Sequence, residues 1–66
     1  MSTYADNMLS AIHHENKREY LLAAKRYGEA LYQLLFESML PITDATVQGV
    51  NEARLLCYRF HRERNQ

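Results

Sequence analysis

Apolar residues recur at helical spacing along most of the chain. At 100° per residue, Leu9, Tyr20, Ala23, Ala24, Tyr27, Leu31, Leu34 and Leu35 fall in a single stripe. Pro41 is the one strong break, because the residue before a proline is driven out of the helical region. The pattern therefore predicts a first helix over about residues 4–39 and a second over about residues 44–64. Thr3 with Asp6 three residues on reads as a capping box. Thr43 or Asp44 is a good N-cap for the second helix, and Arg59, Arg62 and Arg64 complement the negative end of its dipole.

Two helices joined by three or four residues pack as antiparallel neighbours, so the expected fold is all-α, one helical-hairpin domain over residues 1–66. At 1.5 Å per residue the helices would span about 54 Å and about 32 Å. The first overshoots the second, and the stretch before about residue 18 must fray, fold over or dock on another chain. The stripe also lapses there, because His13 and Asn16 stand where it would continue. Residues 7–16 are thus where the first helix is expected to bend or break.

Residues 30–40 are apolar nearly all round, and one neighbouring helix covers only one face. The surplus side chains Tyr32, Phe36, Met39 and Leu40 point to a second copy. Gly49, Ala53 and Cys57 recur every fourth residue on one face of the second helix, a spacing that permits a close helix crossing at Gly49 and Ala53. Size argues the same way. A compact chain of this mass exposes about 4,400 Å² of the roughly 11,300 Å² it has when extended, which leaves folding near balance. Cys57 is the only cysteine, so no internal disulfide assists, and dimerisation into a helical bundle is the leading expectation.

Hydrophobic residues at 47% with two glycines and one proline exclude a disordered chain. No apolar run is long enough to span a membrane, and residues 1–9 lack the basic segment and apolar core of a signal peptide, so a cytoplasmic protein is expected. Eight basic and eight acidic residues cancel. Their distribution is uneven, however: a hairpin gathers Lys17, Arg18, Lys25, Arg26, Arg59, Arg62 and Arg64 at one end and Glu37, Asp44 and Glu52 at the other. That basic pole can offset the helix dipole or dock an acidic protein surface or phosphates. Candidate partner-binding residues are His13, Lys17, Arg18, Arg59 and Arg62.

Chemistry is sparsely signalled. Cys57 and His61 at i, i+4 make half a zinc site, and His13 and His14 lie too far away in a simple hairpin to complete it. No phosphate loop, serine elbow or carboxylate pair in a cleft is apparent. Neither catalysis nor a cofactor is expected.

In size and layout the chain resembles the repressor-of-primer plasmid proteins, helical hairpins that dimerise into four-helix bundles. Their strict heptad core does not match the interrupted Leu9, Ile12, Asn16, Tyr20 pattern, so no RNA-binding residues carry across. The chain is also similar in style to the short, cysteine-poor accessory proteins of temperate phages, including the exo-xis region of lambdoid phages. That likeness implies a modulator of host proteins. The residues favour a homodimeric interaction module that binds another protein and regulates it. Two alternatives are a nucleic-acid-binding dimer using the basic pole, and an obligate subunit of a larger complex.

Overall fold

A computed structural model describes residues 2–65 of the protein, which form three helices and, among the described residues, no strand. Helix α1 is Tyr4–Asn16 and α2 is Tyr20–Tyr32, which runs on into a π-helical turn at Gln33–Glu37; α3 is Ala45–Arg64. The capping box forms as the sequence predicts: the Asp6 amide donates to Thr3 Oγ1 at 3.1 Å and the Thr3 amide to Asp6 Oδ2 at 3.3 Å. Asp44 caps α3, accepting from the amides of Thr46 at 2.9 Å and Val47 at 3.3 Å. No described helix is long and apolar enough to cross a membrane.

The expected two-helix hairpin is corrected to three helices. The single first helix over residues 4–39 does not exist, and its break lies at residues 17–19 rather than 7–16. The cause is a Schellman turn. Arg18 adopts a left-handed conformation at φ 61°, its amide donates to the Glu15 carbonyl, and the Glu19 amide donates to the His14 carbonyl at 2.8 Å. A left-handed residue other than glycine costs about 1 kcal/mol or more, and no glycine marks the stop. In compensation, the reversal lays α1 back along α2.

Helix α2 is the centre of the molecule. Both α1 and α3 run antiparallel to it and scarcely meet each other. On one side Asn7 Nδ2 donates to Gln33 Oε1 at 2.9 Å and the Tyr27 hydroxyl to Glu15 Oε1 at 2.7 Å. On the other, the Tyr20 and Phe60 rings lie 5.2 Å apart, and Gly28 faces the Arg54 stem. Because two helices press on α2 at once, its inner face carries small side chains: Ala23, Ala24 and Ala30 are fully buried, as is Ala11 of α1. Tyr27, Leu34, Val47, Val50 and Cys57 supply the remaining core. The result is flattened, 37 × 25 × 13 Å, and its accessible area of 4767 Å² exceeds the roughly 4,400 Å² of a compact chain this size.

Two face assignments change with the third helix. Leu9, which shares the stripe on an unbroken helix, is 67% exposed, because the Schellman turn resets the rotation between α1 and α2. Gly49 makes no close crossing within the chain: it is exposed, and a Cβ built there meets nothing within 4 Å, while Ala53 is half-buried against the core. Gly49→Ala is therefore expected to stabilise the monomer by about 1 kcal/mol through helix propensity, raising the melting temperature by about 4–8 °C. Thermal unfolding at low concentration checks this; a lower melting temperature would show that the site does need glycine.

Candidate interaction surface

The π turn decides what the end of α2 exposes. Leu34 enters the core at 6% exposure, while Tyr32 and Phe36 stay outside with their rings 4.8 Å apart. The Leu40 amide reaches the Leu34 carbonyl at 2.9 Å, and Met39 adopts φ 57° between them. This second left-handed residue turns the chain away from α2. Tyr32, Phe36, Met39 and Ile42 are consequently 59%, 63%, 77% and 73% exposed at one end of the molecule. Beside them a groove of about 390 Å³ between α2 and α3 is lined by Leu31, Leu35, Ile42, Val47, Gln48 and Asn51.

Of the residues expected to meet a second copy, Tyr32, Phe36, Met39 and Gly49 are exposed, whereas Leu40 and Ala53 pack partly on the chain's own core. Leu40 folds inward because the π turn and the left-handed Met39 reverse its direction. Ile42 was not readable as a surface residue, since a lone aliphatic between Pro41 and Thr43 has no periodicity to place it.

At the opposite end the α1–α2 turn and the C-terminus of α3 come together: Arg64 Nη1 donates to the Arg18 carbonyl at 2.6 Å. Lys17, Arg18, Arg59, Arg62 and Arg64 are exposed there, as is His13. Arg59 pairs with Glu63 at 3.3 Å and Arg26 with Glu29 at 3.2 Å, whereas Lys25 stands exposed on α2. His14 lies 2.9 Å from Glu19 and holds that carboxyl below its ordinary value. Two helix C-termini end at this pole, so part of its positive charge offsets their dipoles. A shallow depression of about 290 Å³ there is lined by Arg18, Tyr20, His61 and Arg64, among others.

The buried polar groups are structural. Desolvation, then the hydrogen bond from its hydroxyl to Glu15, pushes the Tyr27 phenol well above its usual range. Burial, then the Glu15 charge, pushes the Cys57 thiol up to about 11 from 9.0. His61 Nδ1 lies 3.2 Å from Asn65 Nδ2, and no group of three metal-ligating side chains occurs among the described residues.

The raised thiol gives stability a pH dependence. The unfolded thiol ionises near 9, the folded one near 11, so its contribution is complete below 9 and is lost as pH rises through 11. Two units correspond to about 2–3 kcal/mol. Urea unfolding between pH 8 and 11 should show that decline, with the raised Tyr27 phenol adding to it above about pH 10, and Cys57→Ala should remove the part between pH 9 and 10; an unchanged slope there would assign the decline elsewhere. No protein family, curated protein or solved structure matches the chain.

Proposed function

We propose that the protein is a non-enzymatic interaction module that self-associates through the Tyr32, Phe36, Met39 and Ile42 end and regulates a second protein by occupying its surface in the cytoplasm. The carrying observation is the exposure of these four large apolar side chains at one end of the molecule, with Tyr32 stacked on Phe36. At roughly 200 Å² for a large side chain, their exposures leave on the order of 500 Å² of apolar surface. That is most of the ~800 Å² per partner that a stable interface buries. Tyr32, Phe36 and Met39 form the heart of the contact.

The part of the basic pole around Arg18 and Arg64 lies at the far end of the molecule and stays free in such a dimer. Lys17, Arg18, Arg59 and Arg62, with His13, are the groups it offers to an acidic protein target. A dimer displays this pole twice, so a target with two acidic sites gains avidity without new contacts. Multi-angle light scattering across a concentration series tests the first step. The expected mass is twice that of one chain, falling only on strong dilution; a single-chain mass at every concentration refutes the reading.

A further inference from the structure

The outward face of α2 has an order that the apolar patch alone does not reveal. Leu22, Lys25, Glu29, Tyr32 and Phe36 are exposed in succession, and Met39 just past the helix end is exposed with them. From Lys25 to Phe36, within the helix, the spacings are four, three and four, the alternation of a two-helix seam. The π turn preserves the line, since Phe36 remains stacked on Tyr32 at 4.8 Å.

That alternation reads the same in both directions. A second α2 laid antiparallel, about a two-fold axis midway between residues 30 and 31, sets Lys25 against Phe36 and Glu29 against Tyr32 of the other copy. Each meeting is chemically favourable. The first puts an ammonium over an aromatic ring, and in the second a phenol hydroxyl donates to a carboxylate. Glu29 engages Arg26 of its own chain through Oε2, which leaves Oε1 for that phenol. In a parallel pairing Lys25 would face Lys25 and Glu29 would face Glu29, with like charges opposed.

We infer that the occupant of this face is a second copy of the chain, docked with the two α2 helices antiparallel and Lys25, Glu29, Tyr32 and Phe36 as the residues that set orientation and register. This rests on the homodimer reading and specifies it. Neither Lys25 nor Glu29 belongs to the apolar patch, and both act here as specificity determinants. The two basic poles then point to opposite ends of the assembly.

The test is disulfide mapping on the full chain. Lys25→Cys and Phe36→Cys chains are mixed under mild oxidation at concentrations where both still sediment as dimers and keep the native circular dichroism; the buried native Cys57 reacts slowly by comparison. The expected product links position 25 to position 36, in at least tenfold excess over 25–25 and 36–36 links. Equal or predominant same-site links, or a dimer that yields no link, overturn the antiparallel seam while the homodimer stands. An unmodified chain that sediments as a monomer at every concentration overturns both.

Discussion

Tyr27→Ala is expected to leave the chain largely unfolded at room temperature. Tyr27 is 4% exposed and is the largest side chain in a core otherwise made of alanines, valines, one leucine and one cysteine. It also links the layers, because its hydroxyl reaches Glu15 of α1 while Ala23 and Ala24 beside it pack in the same core cluster as Cys57 of α3. Truncating a buried aromatic residue costs about 3–5 kcal/mol, and at about 0.05–0.15 kcal/mol per residue the whole chain holds only ~3–10 kcal/mol. Tyr27→Phe keeps the ring and strands the Glu15 carboxylate without its donor, a loss of about 1–2 kcal/mol. Far-UV circular dichroism against temperature separates the two. A Tyr27→Ala protein that melts cooperatively near the wild-type temperature would mean that the core does not depend on this ring.

The dependence on one aromatic follows from the three-helix arrangement, and so do the limits of what the sequence discloses. Helix α3 was legible to within a residue at each end because a proline and an aspartate cap precede it. Thr3 and Asp6 likewise announced the start of α1. The break at residues 17–19 was not legible. Schellman turns are usually flagged by glycine, and here Arg18 takes the left-handed position, stabilised by tertiary contacts such as the Arg64 bond to its carbonyl that no local pattern encodes. What did show locally was the lapse of the apolar stripe, nearby but a few residues early. The surplus of apolar surface was legible because it is a count of side chains against faces, and a third helix did not absorb it: Tyr32 and Phe36 remain mostly exposed. Which surplus residues turn inward was not, since the fate of Leu40 and Met39 depends on the π turn. Helical periodicity assumes 3.6 residues per turn and cannot anticipate a local insertion.

Phe36→Lys is expected to separate the proposed dimer while leaving each chain folded. The ring is 63% exposed in the monomer, so its replacement removes little core contact and should change monomer stability by no more than about 0.5 kcal/mol. In the antiparallel seam the same substitution takes away a ring that receives Lys25 and puts an ammonium in its place. Two-fold symmetry repeats that clash, so a hot-spot loss of about 2 kcal/mol at each of two sites becomes ~4 kcal/mol, or about a thousandfold in dissociation constant. Phe36→Glu distinguishes charge from mere loss of the ring. It places a carboxylate opposite Lys25, and the ion pair offsets part of the lost burial, so its dimer should dissociate far less readily than that of Phe36→Lys. Sedimentation equilibrium on the two variants side by side reads the difference. Equal weakening by both charges would mean that Phe36 meets no cation across the interface, and a dimer held by the same patch would then have to be built on another register.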